Sequence, residues 1–147
     1  KVQELLFKQV SEAGTFDLDI QDQSDWTVRL LTLLPAIYSA VKSKKTVFID
    51  EINHCLHPQL LFDLVRFFGK STTRGQLIFS THETELMEQN RLLRSDEIWL
   101  VEKVLGSSTL YSLDEFKLHH TTSIRRGYRE GRFGGSYEGA IELESNA

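Results

Sequence analysis

An apolar run, Val47-Phe48-Ile49, ends abruptly in two acids, Asp50 and Glu51. A run this short and β-rich predicts a strand buried on both faces, as in parallel sheets. Parallel strands need helical crossovers, so this one stretch directs the chain toward an α/β architecture. Two carboxylates at the C-terminal end of such a strand do not serve packing. Open α/β sheets hold ligands at that edge, and charge is costly there unless a metal or a partner offsets it. A second short apolar strand, Gln76 to Ser80, is followed directly by Thr81 and His82. Ser24 and Asp25 open the helix that feeds the first strand. Three polar sites therefore fall at one edge of the expected sheet.

The rest of the chain supplies the crossovers. Residues 1 to 20 read as a β-hairpin, with Leu5-Leu6-Phe7 and the alternation Phe16 to Ile20 flanking a turn at Ala13-Gly14. Ser24 or Asp25 caps a helix with Leu30, Leu31, Leu33, Leu34, Ile37, Tyr38 and Val41 on a wide apolar face. Pro35 inside it should kink it, and Ser43-Lys44-Lys45 ends it with cations in the last turn. Ile52 to Pro58 is a loop. Pro58 opens a helix to about Phe68 with Leu60, Leu61, Leu64, Val65 and Phe68 inward. Gly69 to Gly75 turns into the second strand, and a short helix from about Glu83 to Gln89 follows it. Glu97 to Val101 is a third strand, paired with Leu110 to Leu113 across a Gly106-Ser107-Ser108 turn. The alternation of helix and strand predicts right-handed parallel crossovers. Thr121 to Arg132 reads as a short basic helix carrying Arg125, Arg126, Arg129 and Arg132, broken by Gly134-Gly135. The tail from Ser136 to Ala147 is expected to be mobile.

Composition narrows the function classes. The chain has 147 residues, 40% of them hydrophobic and 26% charged, in the range of a globular domain with its own core. A net charge of -4 gives no global signature of nucleic-acid binding. No apolar run approaches the ~20 residues of a membrane helix. One cysteine, Cys55, excludes an internal disulfide and fits a reducing cytoplasm. The chain begins mid-pattern at Lys1, which suggests a piece of a longer protein.

Taken together, these pieces resemble the C-terminal half of an ABC-type ATPase head, the group containing RecF, SMC and OLD proteins. The segment TVFIDE resembles a Walker B strand. INHCLHP resembles the D-loop after it, in the style of the stand-alone AAA-type ATPases of bacterial phage-defence systems. FSTHETEL resembles the switch-histidine loop. DEIWLVEK, LYSLDEFK and GRFGG are similar to the same group, so the likeness extends from about residue 15 to 135. It implies a P-loop NTPase half domain: a mostly parallel sheet flanked by helices, with the N-terminal hairpin and the short basic C-terminal helix attached. Residues 1–135 would form that lobe and 136–147 a flexible tail.

The resemblance also implies roles. Asp50 would be the Mg²⁺-site carboxylate and Glu51 the general base. His82 would be the switch histidine, reading the γ-phosphate. Asn53 to His57 would meet the opposite subunit of a head-to-tail homodimer with ATP at the interface. Ser24 and Asp25 would open the signature motif, whose helix N-terminus binds the γ-phosphate. The signature departs from the family's pattern, reading Ser24-Asp25-Trp26-Thr27 where glycine is usual at the third position. Trp26 is expected to pack against its own domain. No G-x-x-x-x-G-K-[ST] occurs, so the half carrying the P-loop would be a missing partner, and this segment alone should hold ATP weakly. The implied output is the gating of an effector such as a nuclease in anti-phage defence. A DNA-repair or chromosome-associated ATPase and a non-hydrolysing interaction module are the alternatives. Apart from the resemblance, the four arginines near Gly131 to Gly135 read either as a solvated helix with a glycine cap or as a contact for nucleic acid or a partner protein.

Overall fold

A computed structural model describes residues 5–71, 74–87, 92–118 and 123–136. The chain divides into two compact units, Lys1–Glu83 and Thr84–Ala147. The expected tail beyond Ser136, the end of the expected helix at Glu88 and Gln89, and the start of the basic helix at Thr121 and Thr122 lie outside the described residues.

The first unit opens with an antiparallel hairpin, β1 (Leu6–Ser11) and β2 (Gly14–Asp19), in register Leu6↔Asp19 to Ser11↔Gly14. Helix α1 (Asp25–Ser43) follows. Ser24 is its N-cap and Lys44, at φ 55°, ends it in the left-handed region. The helix runs through Pro35 without a break. Its inward stripe is Leu33, Ile37 and Ala40, while Leu34 and Tyr38, expected inside, are exposed.

Strand β3 (Thr46–Ile49) pairs in parallel with β4 (Gln76–Phe79), and helix α2 (Pro58–Lys70) makes the crossover. His57 caps α2 through its own ring, Nδ1 accepting from Gln59 N–H at 3.2 Å, and Pro58 takes the first-turn position where no N–H is needed. Leu61, Phe62, Leu64 and Val65 are buried. Leu60 and Phe68 are only half-buried, and Phe62 takes the inward place instead, with the Arg66 guanidinium 4.5 Å above its ring.

Burial on both faces of β3 is not what the fold provides. Ile49 is buried, but Phe48 is 74% exposed and Ile78 on β4 is 46% exposed. Successive side chains alternate across a sheet, so one face of the parallel pair is covered and the other is open.

In the second unit the expected helix after His82 is a single 3₁₀ turn, Thr84–Met87. β5 (Trp99–Val104) and β6 (Ser107–Ser112) form an antiparallel hairpin. The turn is Leu105-Gly106, with φ of 49° and 85°. It is a two-residue connection with both φ positive, so Ser107 and Ser108 already belong to the strand. The parallel order therefore does not extend through β5. Among the described residues the strands form three two-stranded sheets rather than one mostly parallel sheet.

Ile98, Leu100, Leu113 and Phe133 form the core of this unit. The Tyr111 hydroxyl donates to Phe133 O at 2.7 Å, and burial pushes the Tyr111 phenol up from its ordinary value. Gly134 sits at φ 69°, where a Cβ would meet that hydroxyl at 2.5 Å, so the glycine allows the chain to pass over Tyr111. Helix α3 (Ile124–Arg129) is shorter than the sequence suggests and is capped by Ser123.

Candidate active site

Parallel pairing brings the two strand ends side by side. The ladder continues past β3 and β4, with Ser80 N–H donating to Ile49 O and Ile52 N–H donating to Ser80 O, each at 3.1 Å. Asp50 and Glu51 are thereby set beside Ser80, Thr81 and His82 at one edge of the pair. Asp50 and Glu51 are exposed, so the desolvation cost expected of strand-end acids does not arise.

Ser80 forms the first connection. Its hydroxyl donates to the Asp50 carboxylate and accepts from Glu51 N–H at 2.8 Å. Glu51 sits at φ 43°, a left-handed position that a residue with a Cβ seldom adopts. On the other side, Arg29 of α1 donates from Nη2 to the carbonyls of Asp50, at 3.4 Å, and Glu51, at 3.2 Å. Neither Ser80 nor Arg29 was marked as a site residue by the sequence. The only trace of Ser80 is its place before Thr81-His82, and Arg29 left no signal beyond a cation early in α1.

His82 belongs to a second cluster. The Asn53 side-chain amide lies 2.9 Å from Nε2 and 3.2 Å from Nδ1 of the imidazole. Thr81 Oγ accepts from Glu83 N–H at 3.0 Å and donates to Asn53 Oδ1 at 2.8 Å. That bond turns the Asn53 NH₂ toward His82, and an amide NH₂ can only donate. The loop nearby is compact, with His54 N–H donating to Glu51 O at 2.9 Å and Leu56 N–H to Asn53 O at 3.0 Å. Cys55 in this loop is exposed, at φ 56°.

The remaining sequence-marked residues divide. Ser24 caps α1 by position, but its hydroxyl bonds the Thr27 hydroxyl at 2.9 Å rather than a backbone N–H. Asp25 is exposed in the first turn. His57 is engaged as the cap of α2. Trp26 is 49% exposed, so the expectation that it packs into its own domain is corrected.

A profile of the family described as "AAA domain, putative AbiEii toxin, Type IV TA system" matches residues 3–88, more than half of the chain. The chain belongs to this family. The matched stretch contains α1, β3, α2, β4 and every strand-end residue described above. No curated protein matches the chain. Membership makes this AAA domain one of nucleotide-binding ATPase type, with an α/β fold.

Nucleotide and a divalent cation are the groups such a domain implies. Among the described residues no set of three or more His, Cys, Asp or Glu side chains could hold a metal ion. Two carboxylates, Asp50 and Glu51, stand at this edge, and the Ser80 hydroxyl steadies that of Asp50. That donor set fits Mg²⁺, which keeps several waters and takes one or two carboxylates plus phosphate oxygens. It does not form an all-protein cage. Among the described residues no helix is long and apolar enough to cross a membrane.

Proposed function

We propose that this AAA domain is the Walker B and switch half of an ATP-hydrolysing head of the ABC type, similar to RecF, SMC and OLD proteins. The observation that carries the reading is the parallel β3–β4 pair, which sets Asp50-Glu51 beside Ser80-Thr81-His82 in one hydrogen-bonded edge. When bound, magnesium neutralises the phosphate charge that develops as the terminal phosphoryl group leaves. Asp50 would hold its hydration shell. Glu51, whose carboxylate has no ion-pair partner among the described residues, would orient and deprotonate the attacking water. His82 would bond the γ-phosphate or that water, its ring held by Asn53.

Parallel strands occur with both faces covered, so the bare Phe48 and Ile78 side chains support a further lobe over this face. In this reading that lobe carries the P-loop. The head pairs with a second copy, ATP lying between the Asp50 edge of one and the Ser24-Asp25 helix end of the other. Hydrolysis gates an effector, a nuclease in anti-phage defence. The toxin–antitoxin wording of the family supports an output directed at the cell itself. Nucleic acid is the less favoured partner. Arg125 pairs with Glu85 at 3.2 Å, and Arg126 and Arg132 both pair with Glu130, so a phosphate backbone would have to displace these acids.

His82 tests the reading. In the full-length protein, His82→Ala should lower ATP turnover by about 10²-fold and leave the melting temperature unchanged, since the ring is exposed. Normal turnover combined with a large fall in melting temperature would assign His82 to structure instead.

Trp26 suggests where the second copy sits. It is half-exposed beside the Ser24-Asp25 helix end, and a large aromatic in such a position suits a subunit surface. Trp26→Ala should cost about 1–2 kcal/mol for the half of the ring that is covered while weakening ATP-dependent dimerisation, read by sedimentation of the full-length protein. A strong loss of thermal stability would place Trp26 in packing.

A further inference from the structure

We propose that Arg29 is a positioning residue for Glu51, and that through it the placement of α1 sets the orientation of the base. This inference rests on the ATPase reading above and deepens it. Consecutive carbonyls in an extended strand point in opposite directions. Here two consecutive carbonyls, of Asp50 and Glu51, face the same guanidinium nitrogen. The left-handed φ of Glu51 produces this, because it turns the chain at the strand end and swings the second carbonyl toward α1.

The turn is thus held from two sides. Ser80 takes the Glu51 N–H and the Asp50 carboxylate. Arg29 takes the two carbonyls. Between them these side chains fix the peptide units on either side of Glu51, and the direction of its side chain follows from those units.

Arg29 is also the direct route from the helix end to the base. It stands four residues after Asp25, about 6 Å along the helix axis. A displacement of α1 when a phosphate reaches its N-terminus is passed by one side chain to the backbone of Glu51. The guanidinium suits the task, since the two N–H groups of Nη2 lie in its fixed plane and give each carbonyl a set direction, whereas a rotating ammonium can reach the same carbonyls but holds them less firmly. Arg29 Nε is buried, and among the described residues it has no hydrogen-bond partner. The group is therefore kept there for what its other nitrogens hold.

The test uses Arg29→Met, which keeps the apolar stem, and Arg29→Lys, which keeps the charge. In the full-length protein Arg29→Met should lower kcat by about 10²-fold, the scale of a small misplacement at a reacting centre. The KM for ATP should stay within about threefold, because binding is not what Arg29 supplies. Arg29→Lys should recover part of the loss. In a Glu51→Gln background Arg29→Met should add nothing further, because Arg29 acts through Glu51. A rise in KM that accounts for the loss, no recovery by lysine, or an additive effect in the double variant would overturn the proposal. A second measurement does not depend on catalysis. Amide hydrogen exchange at Glu51 should speed up in Arg29→Met while Leu61 in α2 stays protected. Unchanged exchange at Glu51 rejects the clamp even if the wild-type protein hydrolyses no ATP, whereas an inactive wild type with accelerated exchange rejects only the ATPase reading.

Discussion

Glu51→Gln is expected to slow ATP hydrolysis of the full-length protein by about 10²- to 10⁴-fold, the range that a positioned general base contributes. ATP binding should survive, and the ATP-bound dimer should accumulate. Glutamine has the same shape and keeps the backbone contacts, so Glu51 N–H still reaches Ser80 and its carbonyl still reaches Arg29. Only the proton acceptor is lost. Because the side chain is exposed and has no ion-pair partner among the described residues, the melting temperature should not move. Single-turnover hydrolysis measured beside equilibrium ATP binding separates the two effects. Turnover equal to wild type would remove Glu51 from the role of base. Weakened binding with an unchanged chemical step would instead make it a ligand-holding residue.

The second large effect is structural and comes from Gly75. A Cβ at this position would run into the carbonyl oxygen of Ala40 and lie 2.8 Å from that of Lys45. Both obstacles are backbone. One belongs to the last turns of α1 and the other to the entry of β3, where Gln76 N–H donates to Lys45 O at 3.1 Å. Neither can rotate away as a side chain can. Gly75→Ala should therefore cost about 3 kcal/mol or more, at or beyond the upper end of ordinary overpacking. For a unit of this size that corresponds to a fall of roughly 10 °C or more in melting temperature. It should also loosen the β3–β4 register on which the strand-end site depends. Gly69→Ala is the control. A Cβ there meets nothing within 4 Å, and alanine favours the helix, so this variant should be as stable as wild type or slightly more so. Equal melting temperatures for wild type and Gly75→Ala would mean that the α1–β3–β4 corner is looser than described.

How much of this was legible in the chain follows from which interactions are local. The hairpin from Leu6 to Asp19, the existence of α1 and α2, and the apolar strands ending in Asp50-Glu51 and Ser80-Thr81-His82 are all written in short-range patterns. Periodicity, a serine before α1 and a proline in the first turn of α2 act within a few residues, so the sequence determines these elements by itself. The crossover from β3 through α2 to β4 follows too, because parallel strands leave no shorter connection.

Tertiary structure decided the rest. Alternation of side chains reveals that β3 and β4 have two faces but not whether each is covered, so the exposure of Phe48 and Ile78 had to come from the fold. The same holds for the outward turn of Leu34 and Tyr38 on α1, for the exposed Trp26, and for β5, which pairs with β6 instead of continuing the parallel order. The site itself is assembled across long separations. Ser80 reaches Asp50 over 30 positions, His82 reaches Asn53 over 29, and Arg29 reaches Glu51 over 22. No local pattern encodes such pairs, because each depends on the register in which Thr46 meets Gln76 and on where α1 lies against that pair. The residue types were therefore in the sequence, while the connections among them exist only once parallel pairing and helix packing have fixed the distances.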